Sequence, residues 1–221
     1  MVKDLISLIF PQNCVNCNTS LISEEQYLCT ACKIDLPFTD DHALPENELF
    51  RKFAFQPKIK SARAFIYFHQ GGMTQKLLHQ LKYQGKKDIG FQMGRWFSAR
   101  LEDLEFDHII PVPLHRRKQR SRGYNQSECI ANGICDELSI EVRTDLIRRQ
   151  KSSQSQTRKT RLRRWMDLEN VYSEASGEVE GKRVLVVDDV VTTGATIGML
   201  CERLAQKHVD AIHIATIARG K

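Results

Sequence analysis

The sequence predicts an α/β domain with a mainly parallel sheet flanked by helices, and a small cysteine-bracketed module ahead of it. From residue 61 onward, apolar runs of strand length alternate with segments of helical period, the order produced by parallel strands joined through crossover helices. At 184–187 a four-residue apolar run leads into two aspartates, a small polar loop and a helical pattern, as expected of a strand buried on both faces. Near the N-terminus, two Cys-x-x-Cys pairs fall within 19 residues.

In chain order, residues 61–69 (SARAFIYFH) are rich in β-branched and aromatic side chains and predict the first strand. Met73, Leu77, Leu78 and Leu81 then recur at helical spacing, and Gly85 is placed to end that helix. A second helix is predicted over 89–101, and 108–112 (HIIPV) as a short buried strand opened into a loop by its prolines. Helical patterning returns over 123–138, followed by the strand at 184–187, a helix over 194–205 and a last strand over 211–217. No repeat of solenoid period is present. Residues 1–45 therefore read as an N-terminal helix and four-cysteine module, and 46–221 as the α/β domain, with Asp40, Asp41, His42 and Pro45 as linker.

The composition, 41% apolar and 27% charged over 221 residues, excludes disordered and collagen-like classes. The apolar stretch 5–10 is stopped by Pro11, far short of a membrane span. Asp4 and the lack of a small-residue cleavage site also argue against a secretory signal, so the expectation is a cytoplasmic protein. In that setting the pairs Cys14/Cys17 and Cys29/Cys32 read as four ligands of a structural zinc ion rather than as disulfides. An N-terminal segment this short lacks a sufficient core of its own, and a metal would supply the missing stability.

The net charge of +6 is unevenly placed: residues 111–170 carry 14 Lys or Arg against 7 Asp or Glu, and the rest of the chain sums to −1. Five basic residues fall within 116–122, and six within 151–164 without an acid. Such density fits an anionic partner, with a solvated surface run as the alternative. At 184–196 (VLVVDDVVTTGAT), the paired acids stand where strand ends meet ligands in open α/β sheets. Carboxylates there can accept hydrogen bonds from vicinal hydroxyls, and the following N–H groups, hydroxyls and helix start suit a phosphate. Together these features describe a ribose 5-phosphate. Both aspartates can meet one ligand only if the strand has ended at Asp188, because successive strand side chains leave opposite faces.

The run 184–196 resembles the phosphoribosyl pyrophosphate signature of type I phosphoribosyltransferases, and it lacks the lysine of a Walker A loop. Residues 111–131 (PVPLHRRKQRSRGYNQSECIA) and the four-cysteine module resemble the ComF family of competence-related phosphoribosyltransferases. Lys82, Tyr83 and Gly85 match a Lys-aromatic-x-Gly feature of that family, although helix capping and dipole compensation account for them equally well. The resemblance implies a type I phosphoribosyltransferase-like sheet with a zinc-ribbon-like N-terminal module. It further implies Asp188 and Asp189 as the catalytic carboxylates, Thr192, Thr193, Gly194, Ala195 and Thr196 on the 5-phosphate, and Arg116, Arg117, Arg120 and Arg122 on the pyrophosphate, with Mg2+ accompanying the ligand.

Residues 150–165 occupy the place of the family's closing hood, where Arg158, Lys159, Arg161, Arg163 and Arg164 would meet pyrophosphate or a single strand of nucleic acid. His115 reads as a loop-orienting residue rather than a catalytic one. Two functional classes stay open. One is transfer or release of ribose 5-phosphate in connection with DNA uptake and natural competence. The other is a non-catalytic protein of the same fold that binds single-stranded DNA or acts in regulation, with a DNA-uptake helicase as partner.

Overall fold

The computed structural model describes residues 12–22, 24–149, 172 and 177–220. Four strands, β1 (Ile59–Tyr67), β2 (His108–Pro111), β3 (Arg183–Val191) and β4 (Ala211–Arg219), form one sheet in the order β1-β4-β3-β2, with every neighbouring pair parallel. The helices among the described residues are α1 (Thr30–Ile34), α2 (Glu48–Arg51), α3 (Met73–Tyr83), α4 (Lys87–Ser98), α5 (Arg116–Arg122), α6 (Gln126–Leu138) and α7 (Ala195–Ala205). The strands and helices expected from residue 61 onward are all present, with ends moved by a few residues, while the expected N-terminal helix lies outside the described residues. Among the described residues three helices are added: the short α1 and α2, and α5, where the sequence reads as a loop because its string of arginines has no apolar period to betray a helix.

Strand order reverses between β2 and β3. After α6 the chain runs outward along the free edge of β2, where Val142 bridges Ile109 in parallel, before β3 forms on the other side of β2. From β3 the chain then moves the opposite way, to β4. Right-handed crossovers in opposite directions need helices on opposite faces. Accordingly, α3, α4 and α6 bury Leu77, Phe97 and Ile130 with Leu185 and Val187 on one face, while α7 buries Ile197 and Leu200 with Val184 and Val186 on the other. Ligand crevices of open α/β sheets form at such a reversal.

The N-terminal module is continuous with this core. Cys14, Leu28, Cys32 and Leu36 belong to the same buried cluster as Phe65 and Phe97. Lys76 on α3 donates to the Asn16 carbonyl and side-chain oxygens at 3.0 and 3.1 Å, and Lys33 lies 4.6 Å from the centre of the Trp96 ring. The stretch that reads as linker also holds a buried ion pair, since Asp41 takes two 2.9 Å hydrogen bonds from Arg219 on β4 and a third, at 3.0 Å, from the Ala64 N–H. The two partners are 178 residues apart in the chain, a pairing that local sequence cannot reveal.

Helices α4 and α6 cross on glycines. A Cβ on Gly94 would fall 2.2 Å from the Ile130 carbonyl oxygen, and one on Gly133 would fall 2.0 Å from that of Phe91. Both obstacles are backbone, so only separation of the helices can relieve them. Gly133→Ala is therefore expected to destabilise the protein by about 1–3 kcal/mol. Gly220→Ala, whose Cβ meets nothing within 4 Å, should leave the midpoint of thermal unfolding unchanged.

Candidate active site

The sequence places the end of the strand near Val187, but β3 continues to Val191, with Asp188 opposite Thr216 and Val190 opposite Ala218. The two carboxylates consequently leave a regular strand and have different partners. Asp188 Oδ1 accepts hydrogen bonds from the Ser127 hydroxyl and the Asp189 N–H, both at 2.9 Å. Asp189 Oδ2 pairs with Lys82 Nζ at 2.8 Å, the side chains being 15% and 23% exposed. Burial first, then the neighbouring Asp189 charge, pushes the Asp188 carboxyl up to about 7, against the opposing pull of Ser127 and Lys82.

Beyond β3, Thr192, Thr193 and Ala195 are exposed and Gly194 and Thr196 partly so. Gly194 caps α7 with φ +78°, and a Cβ there would also fall 2.8 Å from the Phe53 ring, so glycine is required twice over. Lys52, just past α2, donates to the Thr192 carbonyl at 3.0 Å. Beside this loop a cavity of about 490 Å3 opens among Phe53, Phe55, Tyr172, Gly198 and Met199. The Tyr172 hydroxyl is buried with no hydrogen-bond partner, and burial pushes the phenol up.

The chain between β2 and α6 ties the site together. His115 caps α5, its Nδ1 accepting the Arg117 N–H at 3.2 Å. Arg116 opens that helix, Arg117 and Arg120 are exposed, and Arg122 lies over the Tyr83 ring at 5.2 Å while donating to Gln126 at 2.8 Å. Gly123, at φ +78°, ends the helix. Tyr124 then donates to the Leu81 carbonyl near the end of α3, and Asn125 donates to the Val112 carbonyl after β2 at 3.0 Å. Asn125 also caps α6, bringing Ser127 to Asp188.

At the opposite end of α3, the ligand atoms of Cys14, Cys17, Cys29 and Cys32 all lie within 4.8 Å of one another, with Cys17 Sγ and Cys29 Sγ 3.6 Å apart. Tetrahedral thiolates at ~2.3 Å from a zinc ion stand ~3.8 Å apart, so the cage has the size this ion needs. The Asn16 amide donates to Cys32 Sγ at 3.3 Å, the kind of support that thiolate ligands receive.

Arg158, Lys159, Arg161, Arg163 and Arg164 of the expected hood lie outside the described residues. Sequence reasoning assigned no role to Lys82 or Ser127. The Lys-aromatic-x-Gly match was the available signal for Lys82, whereas Ser127 reads only as part of a helix start.

Residues 125–221 match the model of the phosphoribosyl transferase domain. Competence protein F of Haemophilus influenzae is 25% identical over 226 residues, covering 96% of this chain and 98% of that protein. The DNA utilization protein YhgH of Escherichia coli is 27% identical over 150 residues, 65% of this chain and 66% of that one. Among solved structures, a hypoxanthine phosphoribosyltransferase from Staphylococcus aureus aligns at 17% identity and a TM-score of 0.41, over 60% of this chain and 64% of its own. The parallel sheet of this order, the matched phosphoribosyl transferase domain over residues 125–221 and the N-terminal four-cysteine cluster give this chain the type I phosphoribosyltransferase fold, and over nearly its whole length it is similar to competence protein F.

Proposed function

We propose that the protein binds phosphoribosyl pyrophosphate, or a closely related ribose 5-phosphate, together with Mg2+, and transfers or releases its ribose 5-phosphate in a process connected with DNA uptake. One observation carries this reading: β3 delivers Asp188 and Asp189 directly into the Thr-Thr-Gly-Ala-Thr turn that starts α7, beside the reversal of strand order. The carboxylates suit the ribose hydroxyls, the turn suits the 5-phosphate, and the arginines of α5 suit the pyrophosphate. The connection with DNA uptake rests on the names of the relatives.

Loss of pyrophosphate leaves positive charge at the anomeric carbon and negative charge on the leaving group. Because β3 runs on past both acids, one of Asp188 and Asp189 holds the hydroxyls and stabilises the first while the other acts through it, and Arg117 and Arg120 stabilise the second. Mg2+ supplies further charge neutralisation when bound with the pyrophosphate. Each carboxylate of the free protein already has a partner, Ser127 or Lys82, so the ion suits a ligand-borne position rather than a cage made by this pair. The four cysteines suit a structural Zn2+, because four thiolates leave no open coordination position for chemistry. The charge excess in 111–170 favours a second reading, non-catalytic binding of single-stranded DNA.

Calorimetric titration with the Mg2+ complex of phosphoribosyl pyrophosphate should show binding that Asp188→Asn/Asp189→Asn weakens at least roughly tenfold, the effect of losing charged acceptors. Binding that is absent, or indifferent to the double substitution, removes the site assignment. A salt-dependent gel shift with single-stranded DNA would then favour the second reading. Pyrophosphate release on adding nucleobases or amines separates turnover from binding alone.

The raised Asp188 carboxyl sets a pH dependence. Unfolded, an aspartate ionises near ~3.9, while the folded group holds its proton up to about 7. Over that window the native state binds more protons than the unfolded chain, so stability contributed by this group falls as pH rises and levels off above about 7. The gain in melting temperature of Asp188→Asn over wild type should accordingly be larger at pH 8 than at pH 5. Ligand affinity should move the other way, rising between pH 6 and 8 more in wild type than in Asp188→Asn.

Purified protein should contain equimolar zinc, and chelation should lower its melting temperature. Metal-free protein of normal stability would overturn the zinc reading.

A further inference from the structure

We infer that Lys82 is a resident counter-cation of the strand-end carboxylates, which keeps them from capturing a bare divalent ion and so couples metal entry to arrival of the phosphorylated ligand. The 2.8 Å pair with Asp189 is largely shielded from water, at 23% and 15% side-chain exposure. Charge pairs in such a setting are screened far less than surface pairs. Two adjacent carboxylates at the mouth of a crevice would otherwise present uncompensated negative charge, attractive to any hard divalent cation and repellent to a polyphosphate.

Lys82 is held in place by more than its charge. The preceding Leu81 is fully buried and its carbonyl accepts the Tyr124 hydroxyl. The following Tyr83 lies between His79, at 4.9 Å, and the Arg122 guanidinium, at 5.2 Å. The last turn of α3 is thus fastened on both sides of Lys82, and the chain leaves it through Gly85 at φ +71°. A helix C-terminus also favours a cation by itself, but that effect needs neither the buried partner nor the fastening. Lys82 is a positioning residue: it neutralises and orients Asp189, leaving Asp188 to Ser127. The role rests on the ligand reading above for its purpose, though its effect on bare cations can be measured without that ligand.

The test is Mn2+ binding by zinc-saturated protein, read from the electron paramagnetic resonance of free Mn2+ with no phosphate ligand present. Wild type should bind Mn2+ only weakly at this site. Lys82→Met should bind at least roughly tenfold tighter, a modest figure for removal of one adjacent unit charge. Lys82→Arg should behave as wild type, and Asp189→Asn in the Lys82→Met background should abolish the gain. The same Lys82→Met protein should bind the Mg2+ complex of phosphoribosyl pyrophosphate more weakly. A lysine that merely supported the helix would not shift the two affinities in opposite directions. Folded Lys82→Met with unchanged Mn2+ affinity overturns the inference. So does tight Mn2+ binding by wild type that is lost in Asp188→Asn, an observation independent of how well the Lys82 variants fold. If wild type fails to bind phosphoribosyl pyrophosphate, the ligand reading fails while the Mn2+ measurements still decide the role of Lys82.

Discussion

The site is organised around one constraint: two adjacent carboxylates are carried out of a strand that is buried on both faces. Val184, Leu185, Val186 and Val187 are fully buried, and β3 keeps its pairing with β4 past both aspartates. Neither acid can turn away into water as it could on a free loop, so the protein has to supply partners for each. Ser127 reaches Asp188 from the first turn of α6, and Lys82 reaches Asp189 from the last turn of α3. These helices pack on one face of the sheet, so that layer both fills the core and balances the site.

The positions of the two partners depend on contacts distant from the ligand crevice. Helix α6 is seated by the glycine crossing with α4 and by Asn125, which joins its start to the end of β2. Helix α3 is joined near its C-terminal end to Tyr124, and Lys76 on the same helix bonds Asn16 within the first Cys-x-x-Cys. The cysteine module is therefore mechanically linked to the helix that carries Lys82. Its packing against the core makes it a buttress of the site as well as a stabiliser of its own short segment.

Most of the fold was legible in the sequence because each element advertised itself locally: β-branched runs for the strands, helical spacing in α3, and glycines where chain direction changes. The candidate ligand loop was legible for the same reason, since 188–196 is one contiguous run. What escaped was non-local or lacked a period. Asp41 reads as linker because its partner Arg219 lies at the other end of the chain, and α5 reads as loop because every turn of it is charged. The extent of β3 was hidden too, because aspartates within a strand contradict strand propensity, and only pairing with β4 keeps them there.

The distribution of positive charge shows why composition alone misdirects. The basic excess of 111–170 draws attention to α5, whose Arg117 and Arg120 are exposed. Exposed charges of that kind act over distance, raising the local concentration of anions, and are weakened by salt. Lys82, the cation that touches a site carboxylate, belongs instead to the part of the chain whose charges sum to −1. A single lysine held 2.8 Å from its partner and shielded from solvent exerts more local effect than several arginines in water. Attraction of an anion and neutralisation of the acids beneath it are separate electrostatic tasks, and this fold divides them between α5 and α3.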